Sequence, residues 1–187
     1  ARDPNGRFSN GRGELEHGSI GVRAGFMLRR LATYFRGSEG APDRIANDGA
    51  QLREDAGANV SSVTWIGHST LLIQMGKVSF LTDPIWSDRP SPIPLVGPSR
   101  FVEPGLTIHD LPTIDFVVIS HNHYDHLDLP SLRALEERNP DATFFVPLGN
   151  ADLLRRQGIT HVQELDWKQS VTLKGVTVHC LPAQHWS

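Results

Sequence analysis

The sequence predicts an α/β (α+β) fold: the N-terminal half of an αββα sandwich, with a mixed sheet and helices on one face. Three observations lead there. Between residues 62 and 81, short runs rich in β-branched and aromatic residues are broken by Gly-containing pairs, which is hairpin patterning. Between residues 115 and 165, strand-like runs alternate with helical ones, which is the pattern of βα units. A final pair of strand-like runs closes on Lys174-Gly175. A chain of 187 residues can bury one core with a tail.

The elements follow in order. Residues 1 to 20 are rich in Gly, Asn, Arg and Asp, lack periodicity, and read as an extended arm. Val22 to Phe35 reads as a short amphipathic helix with Arg23, Arg29, Arg30 and Arg36 on its basic side. Such a helix packs on its own domain or lies on a membrane surface. Gly37 to Gly57 is polar, with a short helix near Ala46 to Glu54. Residues 1–59 are thus an arm, and residues 60–187 are the folded half-domain.

Ser62 to Ile66 reads as a strand, Gly67-His68 interrupts it, and Thr70 to Gln74 continues. Gly76-Lys77 turns the chain into Val78 to Leu81. Residues 84 to 113 carry most of the prolines and form a long loop of a length that suggests function. Asp115 to Ser120 is a buried strand, because Phe116 to Ile119 is apolar without a break. Leu129 to Arg138 is helical, with Pro130 in its first turn. Thr143 to Val146 is a strand, Ala151 to Gln157 a helix closed by Gly158, and His161 to Leu165 a strand. Val171 to Leu173 and Val176 to Leu181 form the last hairpin. The strands from Val60 to Leu181 are expected to make one mostly antiparallel or mixed sheet. The helices at 129–138 and 151–157 cover one face, and the opposite face is expected to stay bare.

Composition sets limits. Hydrophobic content of 39% and charged content of 21% are ordinary for a globular chain. A net charge of −3 gives no field for nucleic acid, so no nucleic-acid partner is expected. No apolar stretch reaches the ~18 residues of a membrane span. The first residues lack the apolar core of a secretory signal, so the cytoplasm is the expected compartment, with peripheral membrane contact as an extension. The single cysteine, Cys180, has no partner for an internal disulfide and reads as core filling.

The chemistry concentrates in His121-Asn122-His123-Tyr124-Asp125-His126, directly after the buried strand. Imidazole and carboxylate suit zinc, iron or manganese. His121 and His123 are two apart and share a side in extended backbone. Asp125 and His126 lie beyond a turn and can face a second ion. The spacing predicts a two-metal site with a bridging hydroxide. Surface-loop histidines are the bland alternative, and four potential ligands after a strand argue against it. His68, after Gly67, faces the pocket or sits in a strand bulge. Arg100 meets a substrate phosphate or is a solvated loop arginine.

The run from His121 to His126 resembles the metal motif of the metallo-β-lactamase superfamily. Trp65 to Thr70, Leu81 to Trp86, Gly97 to Phe101, Val146 to Gly149, Glu164 to Trp167 and Gln184-His185-Trp186 resemble, in order, the branch containing N-acylphosphatidylethanolamine-hydrolysing phospholipase D and its bacterial relatives. The resemblance implies that His185 joins His121 and His123 around a first zinc. It implies that Asp125 and His126 begin a second zinc site, with Asp125 also handling the proton of the attacking water. Asp83 resembles the carboxylate that supports the metal-binding loop. An Asp-Pro turn starter is the competing account.

The implied function is a metal-dependent hydrolase of phosphodiesters, with phospholipase D-type cleavage of N-acyl phosphatidylethanolamine favoured. Loop residues Ile85, Trp86, Ile93, Leu95 and Val96 are candidates to take acyl chains. A phosphosugar lactone or cyclic ester, or an inactive metal-binding fragment, is the alternative. Relatives in this branch carry further ligands in a second half that does not occur in these residues. The chain is therefore expected to be about half of a longer domain, inactive alone, and to pair with that half or with another copy.

Overall fold

A computed structural model describes residues 20–22, 24–26, 28–29, 47–91, 99–183 and 185. Of the expected arm, residues 1–19, 23, 27 and 30–46 lie outside the described residues, and with them much of the expected helix at 22–35. Residues 20–22, 24–26 and 28–29 are helical, and Ile20, Val22, Phe26 and Leu28 among them are exposed.

The helix expected near 46–54 is α1, Ala50–Ala58. It starts later because Gly49, at φ 70, turns the chain and the Asp48 carboxylate accepts the amide of Ala50 at 2.9 Å. The strands β1 (Ser62–Gly67), β2 (Thr70–Met75) and β3 (Val78–Thr82) form an antiparallel meander, with Val63 opposite Ile73 and Ile73 opposite Phe80. β4 (Phe116–Val118), β5 (Thr143–Pro147) and β6 (Val162–Leu165) then run parallel to β3 and to one another. Parallel neighbours need crossovers. They are supplied by the segment before β4, by α2 (Leu129–Arg138) and by α3 (Ala151–Arg155).

The strand expected over 115–120 ends early. The amide of Ser120 leaves the ladder and donates to Asp83 Oδ1 at 2.7 Å. α3 also ends two residues before its expected limit and passes through a turn to Gly158 at φ 88.

Side chains alternate across the sheet, and the two faces build two cores. On one face Leu72, Leu81, Val117, Phe144 and Val146 pack with Leu52 of α1, Leu132 and Leu135 of α2, and Leu154 of α3. On the other, Val78, Phe116, Phe145 and Leu165 pack with Val171, Leu173, Val176 and Val178. Each fully buried aromatic contributes about 1.5–3 kcal/mol.

The second core corrects one expectation. The strands do not make one sheet: β7 (Ser170–Leu173) and β8 (Val176–His179) pair only with each other among the described residues. Their turn, Lys174 at φ 50 and Gly175 at φ 84, has both central residues left-handed, as a tight hairpin of this twist requires. The hairpin lies on the face expected to be bare, and Lys174 Nζ pairs with Asp115 at the start of β4. Cover is partial: Val63 and Trp65 of β1 stay 67% and 64% exposed.

The loop from 84 to 113 is also more ordered than expected. Ile85, Leu106 and Leu111 are buried, and the indole N–H of Trp86 donates to the Leu106 carbonyl at 2.8 Å. Ile85 is buried and so not free to hold an acyl chain, while Trp86 is half-buried against the core. Ile93, Leu95 and Val96 lie outside the described residues.

Candidate metal centre

Open α/β sheets place ligands beyond the carboxyl ends of their strands. Here Asp83 follows β3 and the histidine run follows β4, side by side. Ile119 still donates to the Phe145 carbonyl at 2.9 Å, then Ser120 turns to Asp83. His126 and Leu127 both donate to the His123 carbonyl, at 2.9 and 2.8 Å, closing a turn. His121 and His123 therefore stand before the turn, and Asp125 and His126 stand inside it.

Two groups of donors result among the described residues: His121, His123 and His185, and beside them His68, Asp125 and His126. In each, one ligand atom per residue lies within 4.8 Å of the others. In the first group His121 Nε2 and His185 Nε2 sit 3.0 and 3.2 Å from His123 Nδ1. A tetrahedral ion bound at ~2.0–2.1 Å would hold its nitrogens about 3.3 Å apart, so the three rings fit one ion. His185 comes from beyond β8, and no spacing argument pointed to it; the resemblance did. Ser120 Oγ lies 2.9 Å from His121 Nδ1, which leaves His121 Nε2 for the group.

Electrostatics suit cation binding. Burial, then crowding by His126, His123 and His185, lowers the His121 pKa to about 4. Burial and His185 lower that of His123. Both rings are neutral at pH 7, with lone pairs ready for an ion. For Asp125, burial pushes the pKa up, but its own backbone amide, His126 and His68 outweigh it and hold the carboxylate below its usual range.

In the second group Asp125 Oδ2 lies 3.1 Å from His68 Nε2 and 3.8 Å from His126 Nε2. His126 Nδ1 is taken by Asp83 Oδ2 at 2.9 Å, so its Nε2 faces the group. Asp83 also accepts from Ser120 N and Ser120 Oγ, both at 2.7 Å. This carboxylate is 7% exposed, sits on left-handed backbone at φ 39, and is more than a turn starter. It touches one candidate ligand directly and another through Ser120.

His68 unites the two accounts given for it. The β1–β2 register shifts between Trp65 and Gly67, and His68 follows at φ 49, a conformation costing about 1–2 kcal/mol for a side chain of this kind. That bulge is what aims the ring at Asp125.

Two contributors were not foreseen. Ser120 was legible only as the residue before the run. Asp128 reads as a helix cap, yet makes no side-chain cap to α2. Buried, it instead accepts from Trp86 N, Ser87 N and Ser87 Oγ at 3.3, 3.1 and 2.8 Å, and from Ser131 Oγ, tying the chain after Asp83 to α2. Arg100 also turns inward: its Nη2 donates to the Ile85 carbonyl at 2.7 Å. Burial lowers its pKa, against the pull of Glu103, Asp128 and Asp88.

Comparison with known proteins agrees with this geometry. Residues 79–187 match the model of the beta-lactamase superfamily domain. The chain is 43% identical over 131 residues to N-acyl-phosphatidylethanolamine-hydrolyzing phospholipase D 1 of Caenorhabditis elegans, covering 65% of this chain and 37% of that protein. It is 47% identical over 128 residues to an uncharacterized protein of Mycobacterium tuberculosis, covering 67% of this chain and 34% of that one. The chain thus spans about a third of the length of these relatives. Among solved structures, the diiron beta-hydroxylase CmlA from Streptomyces venezuelae aligns with a TM-score of 0.51 at 27% identity, over 65% of this chain and 24% of that one. The chain belongs to the metallo-β-lactamase superfamily, and within it is similar to the N-acyl-phosphatidylethanolamine-hydrolyzing phospholipase D 1 of Caenorhabditis elegans.

Proposed function

We propose that this chain carries the metal-holding part of a dinuclear, metal-dependent hydrolase of phosphodiesters, with N-acyl phosphatidylethanolamine as the favoured substrate. The carrying observation is the pair of adjacent donor groups, one of three imidazoles and one containing a carboxylate. The similarity to the nematode phospholipase supports the substrate. Hydrolysis of this kind adds water across the phosphorus–oxygen bond to the ethanolamine, leaving phosphatidate and N-acylethanolamine.

Ions bound in the two groups supply Lewis-acid polarisation of a phosphoryl oxygen and water acidic enough to ionise near neutral pH. The residues do the rest. His121, His123 and His185 hold one ion, while Asp125 and His126 begin the second cage. Asp125, being ionised, can also take the proton of the attacking water. Asp83 fixes His126 and, through Ser120, His121, as carboxylates behind metal-bound histidines do. Arg100 is the candidate for the substrate phosphate. One N–H of its Nη2 already goes to the Ile85 carbonyl.

Zinc is the proposed metal. The diiron hydroxylase among the similar structures makes iron the second reading. A phospholipid substrate calls for contact with a membrane surface, and the exposed Ile20, Val22, Phe26 and Leu28 support such contact. Among the described residues no helix is long and apolar enough to cross a membrane.

Elemental analysis of the purified chain, then zinc titration, tests the core of this reading. One tight and one weaker ion are expected, with the tight one lost in His121→Ala/His123→Ala. A chain that takes up no ion sinks the proposal. Vesicles containing N-acyl phosphatidylethanolamine, incubated with the longest natural polypeptide that includes this chain, test the substrate. Mass spectrometry should find both products together.

A further inference from the structure

We propose that His68 is a positioning residue for the second ion: its Nε2–H donates to Asp125 Oδ2 and fixes the rotation of that carboxylate beside His126. The inference rests on the metal reading above and extends it to a residue from a different element.

The distance of 3.1 Å between His68 Nε2 and Asp125 Oδ2 is that of a hydrogen bond. Asp125 lies in a short turn with its side chain 39% exposed, and within that turn its own backbone amide bonds the carboxylate. The β1–β2 turn supplies a second hold. The indole N–H of Trp65 donates to the His68 carbonyl at 2.9 Å and fixes the peptide that carries the ring. Gly67 makes the bulge possible: at φ 155, a Cβ there would meet Arg100 Nη1 at 3.2 Å. Ser69 Oγ reaches the Asp125 carbonyl at 3.4 Å, and Thr70 Oγ1 donates to the Asp83 carbonyl at 2.9 Å. Three consecutive residues thus hold Asp125 and Asp83: His68 at the Asp125 carboxylate, and Ser69 and Thr70 at the two backbone carbonyls.

Strained backbone that is pinned from several sides marks a constraint worth its cost. A surface histidine needs none of this.

Metal titration of the chain and of two variants decides it, with zinc counted by mass spectrometry and cobalt(II) followed by its visible spectrum. His68→Ala should bind the weaker ion about 10–100-fold less tightly, as loss of an outer partner does, with the tighter ion unchanged. His68→Gln, whose amide can still donate to Oδ2, should recover most of that affinity and the wild-type cobalt spectrum.

Unchanged binding of the weaker ion by His68→Ala overturns the proposal. So does equal loss of both ions, which would mark a purely structural role. So does failure of Gln to rescue while the tighter ion stays, which would make His68 a direct ligand. A wild-type chain binding only one ion overturns it too, yet leaves the three-histidine group standing. Only a chain binding none removes the metal reading itself.

Discussion

β3, β4 and β5 are packed on both faces, by helices on one side and by the β7–β8 hairpin on the other. β1 and β2 are packed on one face, and the outer side of β1 shows Val63 and Trp65 to solvent. The candidate ligands divide along the same line. Asp83 and the run from His121 to His126 grow from the doubly covered strands, whereas His68 grows from the singly covered pair. A fully buried root fixes direction through packing. A half-buried root must fix it through local hydrogen bonds and a bulge, and the turn after β1 has both.

The largest test of this contrast is Phe116→Ala. Phe116 is fully buried, stacks on Phe80 at 4.5 Å and meets Phe145 edge-on at 5.6 Å. Its loss should cost about 3–5 kcal/mol in urea unfolding. A cost under about 1 kcal/mol would mean the hairpin cover is loose. Next comes Asp83→Ala in the metal-free chain. It leaves the Ser120 amide without its acceptor in a part-buried setting and releases His126, and should cost about 1–3 kcal/mol by thermal melt.

A smaller effect is chemical. Burial, then Asp166, pushes the Cys180 thiol up, and only the thiolate reacts. Alkylation at mildly alkaline pH should be slower than for free cysteine and should climb with pH. A rate equal to free cysteine would show the hairpin lifting off the sheet. The smallest effect belongs to Val63→Ala, 67% exposed on the open side, which should stay within about 0.5 kcal/mol. A larger loss there would show that something covers β1 in solution.

Much of the fold could be read from the residues. The Gly76-Lys77 and Lys174-Gly175 pairs marked two of the two-residue hairpin turns, because positive φ at a tight turn leaves few choices. α2 matched its expected limits, Pro130 marking its start, and its last carbonyls meet Asn139, which donates to the Leu135 carbonyl. The separate hairpin sheet was not legible. Which strand pairs with which depends on packing between distant segments, and β7 and β8 alternate like any other strands. At the site, His121 to His126 were visible from spacing, and His185 only from resemblance. The left-handed backbone at His68 and Asp83 was hidden, because neither residue type announces it. Asp128 gave no signal of its role, since an Asp before a helix has a commoner use than anchoring a neighbouring loop.

The backbone at Asp83 narrows what evolution can do there. Its φ of 39 admits Gly, Asn and Asp at low cost and penalises most other side chains. Its two oxygens take three donors, from Ser120 and His126, and of those three residue types only Asp offers two acceptor oxygens. One filter concerns shape and the other chemistry, and they overlap on a single amino acid. No one-step exchange at this position passes both. A lineage that left Asp behind would first have to change Ser120 or His126, so the three positions are bound to drift together or not at all.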